Sequence, residues 1–186
     1  MLDTLIKKIR SLDNFSQNEI DFFVGSLEPF QIAKGEHFLK EGQVCRHLGF
    51  IESGLVMYYR VYDGVEIPTD FALEGEWMGY LNSFTNKTSA DLSIKALEDT
   101  NLLRLSASNF EKIYQLQPRF IKLKDHYTEM SFVSHTRHTA DLAMLNAKQR
   151  YEKFMKEKKE LVNRVPQYYI AAYLGIKPQS LSRLRK

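Results

Sequence analysis

VPQYYIAAYLGIKPQSLSRLRK, from Val165 to Lys186, reads as two short helices about a turn. With Gly175 at the turn, Ile170, Ala171 and Leu174 share one face of the first helix, and Ile176, Leu181 and Leu184 share one face of the second. Ala171 is small enough for the helices to cross closely, the glycine accepts the positive φ of a tight turn, and Pro178 pre-sets the first turn of the second helix. Turning the leucines inward leaves Gln179, Ser180, Ser182, Arg183 and Lys186 outward, side chains of the kind that reach base edges and phosphates. Spacing alone fits an ordinary αα-hairpin as well as a helix-turn-helix; charge separates the two.

Residues 1–145 hold 15 Lys and Arg against 20 Asp and Glu, whereas residues 146–186 hold 11 against 3. An acidic body joined to a strongly basic C-terminal segment fits a phosphate-binding module attached to a partner domain, and the basic residues surround the helix-turn-helix. A solvated basic face is the plainer alternative; the motif favours double-stranded DNA as the partner. At 186 residues with 44% hydrophobic composition, the chain has room for one large domain or for a medium domain plus a small one. The single cysteine, Cys45, excludes an intrachain disulfide framework and any four-cysteine zinc or iron-sulfur site, and suits a reducing cytoplasm. No apolar run approaches a membrane span, and the charged N-terminus does not read as a signal peptide.

Upstream, Leu2, Leu5, Ile6, Ile9 and Leu12 recur at helical spacing, and Ser16 with Glu19 forms a capping box before Ile20, Phe22 and Phe23. From Pro29 the pattern becomes short β-type runs punctuated by Gly35, Gly42, Gly54 and Gly64, which predicts a compact antiparallel β barrel or roll. A strand ending at Leu73 leads into Glu74-Gly75-Glu76-Trp77, a short irregular or helical piece, and strands over Ile94–Ala96 and Leu102–Leu105. Ser108–Leu116 predicts a short helix, and Pro118 begins a long one whose stripe Phe120, Leu123, Tyr127 and Met130 needs a cover, either its own roll or a second copy of the chain. Asn146–Met155 follows as a further helix, with Tyr151, Phe154 and Met155 beneath the motif.

The order of a helix, glycine-punctuated strands carrying KGE…EG and IESG, an EGEW-x-G cassette, a long helix led out by NAKQRY, and the terminal motif resembles the Crp/Fnr transcription regulators along the whole chain. The resemblance implies an α+β fold. Residues 1–117 would be an antiparallel, cyclic-nucleotide-binding-like β-roll with flanking helices, 118–145 a dimerisation helix with Phe120, Leu123, Tyr127 and Met130 at the seam, and 146–186 an all-α DNA-binding domain. It also implies a cytoplasmic homodimer on a palindromic operator, an unidentified effector sensed by the roll, and RNA polymerase as a further partner. Many members of that family carry a β-hairpin wing after the second helix; the sequence stops at Lys186, which leaves a wingless reader and a longer chain both open.

In the resemblance, Arg183 matches the base-reading arginine, although a phosphate contact stays open, and Ser182 matches as well. Gln179 replaces a glutamate, leaving the preferred base open. Lys177, Arg185 and Lys186 read as phosphate anchors, and Tyr168 and Tyr169 as core or backbone contacts. For the roll, the family's ribose-binding Gly-Glu and phosphate-binding Arg-Ser would fall at Gly79-Tyr80 and Thr88-Ser89. A tyrosine replaces the glutamate, no arginine lies between Arg60 and Arg104, and the cassette's one cation is Lys87. A phosphate without its bidentate cation loses charge-assisted hydrogen bonds and still bears desolvation, so cyclic AMP and cyclic GMP are not expected to bind. A less charged effector would instead meet Trp77, Met78, Gly79, Tyr80, Phe84 and Ser89, unless these aromatics simply fill the space. No catalytic motif is present, and an enzyme is not expected. His135, His138 and Asp141, spaced three apart, could share part of a face as metal ligands, but histidines on a solvated helix are far commoner; Cys45 with His47 lacks a third ligand, and neither metal nor cofactor is expected.

Overall fold

The computed structural model describes residues 2–185; Lys186, expected to be a phosphate anchor, lies outside them. Two helices open the chain, α1 (Leu2–Leu12) and α2 (Gln17–Val24), the second started by the capping box in which the Glu19 amide donates to Ser16 Oγ and the Ser16 amide donates to Glu19 Oε2 at 2.8 Å. Eight strands follow: β1 (Glu28–Ile32), β2 (His37–Leu39), β3 (His47–Ser53), β4 (Val56–Tyr62), β5 (Val65–Ala72), β6 (Trp77–Met78), β7 (Ser93–Ala96) and β8 (Thr100–Ser106), with α3 (Leu81–Asn86) between β6 and β7. They form two antiparallel sheets, β1-β8-β3-β6 and β2-β7-β4-β5. Inward residues of both sheets, among them Ile51, Val56, Met78, Ile94 and Leu102, make the core of the roll. The expected strands are present within a residue or two of their bounds.

Past the roll come α4 (Ala107–Leu116), a 3-10 turn over Pro118–Phe120, and α5 (Ile121–Met144). The long helix thus starts three residues after the proline expected to open it. α6 (Ala147–Glu157) begins on an Asn146–Gln149 capping box, and α7 (Gln167–Tyr173) and α8 (Pro178–Leu184) are the expected motif. Gly175 sits at the turn with φ +62, and the predicted inward residues Ile170, Ala171, Leu174 and Leu181 are buried. Among the described residues no helix is long and apolar enough to cross a membrane.

Two packing results differ from the sequence reading. First, Phe120 and Leu123 are spent inside the chain's own roll. Phe120 is fully buried, stacked at 4.5 Å on Phe15 and 4.8 Å on Phe23, and Leu123 joins the same cluster. Burying a phenylalanine contributes about 2–3 kcal/mol, a surface no longer free for a second chain. Tyr127 packs edge-on against Trp77, and only Met130 of the four expected seam residues is exposed. Helical periodicity said that this face needed a cover but not which cover. Second, the C-terminal helices share a core with the roll. Leu55, Met57, Tyr59 and Phe71 join Phe154, Tyr169, Ile170, Tyr173 and Leu174 in one buried cluster, with α7 lying along β5. No break in packing accompanies the expected boundary at residue 146.

Candidate functional site

Two regions carry uncommitted chemistry, a face of α8 and a cleft between the roll and α5. On α8, burial of Leu181 in the shared core turns Gln179, Ser180, Ser182 and Arg183 outward, and all four are exposed, as are Lys177 and Arg185 at the two ends. None of these six side chains has an ion pair or a side-chain hydrogen bond among the described residues. Tyr169 is buried against the roll, as the core reading has it, whereas Tyr168 is exposed on α7.

What holds this face in place is a set of contacts between parts of the chain far apart in sequence. The Arg150 guanidinium donates to Leu145 O at 2.5 Å and Leu142 O at 3.3 Å, at the end of α5, and to Leu174 O at 2.7 Å and Gly175 O at 3.5 Å, in the turn of the motif. Carbonyls at helix C-terminal ends lack intrahelical donors, so one cation satisfies two helix ends and ties them together. Arg164 forks onto two roll carboxylates, reaching Glu74 at 2.7 and 2.9 Å and Glu98 at 2.7 and 3.0 Å, and also donates to Gly54 O at 3.2 Å. These bonds hold the Glu74 carboxyl at about 2, below its ordinary 4.5. The Tyr169 hydroxyl donates to Glu66, which also receives Lys95 Nζ at 2.5 Å. His138 stacks on Tyr173 at 4.1 Å between ring centroids, and burial there pushes its pKa down.

The cleft encloses about 510 Å³ between the cassette, β5 and the long helix, within the ordinary size range of small-molecule sites. Trp77, Met78, Gly79 and Tyr80 line it as expected. Phe84 and Ser89 do not: Phe84 is buried edge-to-face against Phe110, and Ser89 is exposed at an isolated bridge to Val44. Sequence reading missed Tyr58, Asp70, Glu76, Tyr127, His135 and Lys158, all in the lining. Tyr58 is held by the Gly79 amide, which donates to its hydroxyl oxygen at 3.1 Å. Glu76 has no salt bridge among the described residues; it keeps exposed surface at the cleft, and desolvation by the atoms around it pushes its carboxyl above the ordinary value even though the Leu73 amide donates to it at 2.8 Å. A Gly-Glu pair, Gly75-Glu76, therefore does face the cleft, four residues before the position where the resemblance placed it.

No arginine lines the cleft. Arg60 is committed outside it to Asp91 at 2.8 Å, and Lys87 to Glu111 at 3.2 Å. The candidate metal trio does not converge either: His135 faces Asp70, His138 covers Tyr173, and Asp141 pairs with Lys153 at 2.5 Å.

Residues 29–117 match the cyclic nucleotide-binding domain family. In fold the chain is similar to FixK2 from Bradyrhizobium japonicum, with TM-score 0.75 and 20% identity over 86% of this chain and 82% of that one. It is also similar to the c-di-GMP responsive global regulator CLP of Xanthomonas campestris (TM-score 0.73, 16% identity, 91% and 89% covered) and to a CooA mutant from Carboxydothermus hydrogenoformans (TM-score 0.70, 18% identity, 96% and 81% covered). No curated protein matches the sequence.

Proposed function

We propose that this chain, a Crp/Fnr-like protein built on a cyclic nucleotide-binding domain, is a sequence-specific, DNA-binding transcription regulator that works as a homodimer and is not an enzyme. The observation that carries the reading is the outer face of α8. Its four polar side chains are exposed and unpaired on a helix anchored from below by Leu181, within the one strongly basic segment of the chain. Arg183 reads a guanine through its fork, Gln179, Ser180 and Ser182 contact neighbouring edges, and Lys177, Arg185 and Lys186 hold phosphates. RNA polymerase is a further partner by the same reading, and the site of action is the cytoplasm.

The dimer rests on α5. Of its 24 residues only Leu123 is buried, while Phe132 is 70% exposed and Val133 is exposed beside it. A helix this long with one buried residue is stabilised by a partner, and a second copy supplies one with two-fold symmetry. The seam therefore lies on the face of Phe132 and Val133, offset from the stripe that the roll already covers. The effector occupies the cleft, and without an arginine there it is not cyclic AMP. Because the cleft is walled by α5, and Arg150 ties the end of α5 to the turn of the motif, occupancy shifts the balance between arrangements of the two α8 helices.

Gel shifts with genomic fragments at several salt concentrations test this. A discrete palindromic site with a steep salt slope is the expected result; weak binding that is uniform across fragments would make the protein a sensor module with a non-specific basic tail.

A further inference from the structure

The cleft crosses the boundary between the roll and the C-terminal helices. Lys158, which follows α6, lines it together with Asp70 of β5 and His135 of α5. The three meet at one carboxylate: Lys158 Nζ lies 3.2 Å from Asp70 Oδ1, and His135 Nε2 lies 3.4 Å from Asp70 Oδ2. Both contacts are looser than the 2.5–2.8 Å bridges elsewhere in the chain. An ammonium has three donors, and on Lys158 Asp70 takes one and the Tyr173 hydroxyl stands beside another, the Tyr173 ring centroid lying 5.4 Å from the cation. Trp77, Met78, Phe71 and Leu81 around the cassette side and Met130 on the helix side give the wall a continuous apolar and aromatic part, beside polar residues that include Glu76, Lys8 and Lys124.

Resting on the reading of this cleft as an effector site, we propose that its ligand is a monoanionic amphiphile, one carboxylate on an apolar body, whose head group is bound by Lys158 of the C-terminal domain. Charge sets the limits. Three lysines, Lys8, Lys124 and Lys158, stand on the wall against two carboxylates, Asp70 and Glu76, an excess of one positive charge that suits a monoanion and disfavours an organic cation, and with no guanidinium there a dianionic phosphate finds no bidentate partner. A single carboxylate shares Lys158 and His135 with Asp70, and its tail displaces water from the aromatic wall. The site is then incomplete without the C-terminal domain, so binding bears directly on how that domain is docked.

Trp77 is the chain's only tryptophan and lies in the wall, so its fluorescence reports occupancy without any assay of DNA. The full chain is titrated with decanoate, 1-decanol and decylammonium, which differ only in head group. Decanoate is expected to bind roughly tenfold or more tighter than decanol, the worth of one charge-assisted hydrogen bond, and decylammonium weakest. Lys158→Met, which keeps the aliphatic stem, is expected to reduce decanoate to the affinity of decanol while leaving decanol unchanged, and Asp70→Asn to tighten decanoate. Absence of decanoate binding at millimolar concentration, equal affinity for the three head groups, or a carboxylate preference that survives in Lys158→Met would each overturn the proposal. If Lys158→Met fails to fold, the same series is run on Lys158→Gln, and a carboxylate preference that survives there overturns the proposal as well. Decanoate binding in a protein that ignores DNA would sink the regulator reading and keep this one; specific DNA binding without decanoate binding does the reverse.

Discussion

Replacing Arg164 with methionine removes the main polar contact between the roll and the C-terminal helices without touching the apolar part of the interface. The guanidinium makes five hydrogen bonds, four to the carboxylates of Glu74 and Glu98 and one to Gly54 O. The side chains are about one-quarter to two-fifths exposed, so each bidentate pair is screened and contributes about 1 kcal/mol rather than the several expected of a buried pair. With the carbonyl bond, the loss on methionine substitution is about 2–3 kcal/mol, including repulsion between the two carboxylates left side by side. That corresponds to roughly 30- to 150-fold in the equilibrium between docked and undocked C-terminal helices. Arg164→Lys keeps the charge but not the fork, and about half of the loss is expected. Hydrogen exchange on amides of β5 and α7 reads this out, since undocking exposes both while the roll's inner strands stay protected. If exchange there is unchanged in Arg164→Met, or if lysine is as good as arginine, the docking account is wrong. The sign with pH is also fixed. Glu74 is held at about 2 against 4.5, so its contribution is fully present above about pH 4.5 and is lost as pH falls towards 2.

Three further outcomes follow from particular residues. Gly175→Val places a branched side chain at φ +62, where its Cβ also stands 3.3 Å from Leu142 Cδ2, and is expected to cost at least about 1–2 kcal/mol, seen as a lowered Tm. His138, whose pKa burial depresses below 6.5 amid Asp70, Lys158, Asp141 and His135, is neutral in its stack on Tyr173; its contribution is full above pH 6.5 and is lost as pH falls through the lower folded value, a loss that urea titrations should show in the wild type and not in His138→Phe. Arg183→Ala should remove about 1–3 kcal/mol of discrimination at one base pair per half-site, whereas Lys177→Ala should weaken all sequences alike and flatten the salt slope; a change in salt slope alone for Arg183→Ala would reassign it to a phosphate.

What the sequence made legible was local. Ser16 with Glu19, Asn146 at the head of α6, Gly175 at the turn and Leu181 beneath α8 are set by neighbours within a few residues, and each stands where spacing put it. The stripe of Phe120 and Leu123 was recognised as apolar, but a helical period carries no record of its cover, and Phe15 and Phe23 take that place from a second chain. The cleft was half legible: Trp77, Met78, Gly79 and Tyr80 came from the cassette, whereas Asp70, His135 and Lys158 come together from three elements. Long-range polar contacts such as the Arg164–Glu98 ion pair, 66 residues apart, or the Tyr169–Glu66 hydrogen bond, 103 apart, leave no periodic mark in a single sequence.

Selection of binding sites from randomised duplexes by the purified full-length protein, with the stoichiometry of the selected complex measured by light scattering, tests the central claim most directly. The account predicts a palindrome whose half-sites lie one helical turn, about 34 Å, apart, bound by two chains, with the dimer lost on Phe132→Glu. Recovery of no enriched sequence, or a single chain bound to a non-palindromic site, would contradict it.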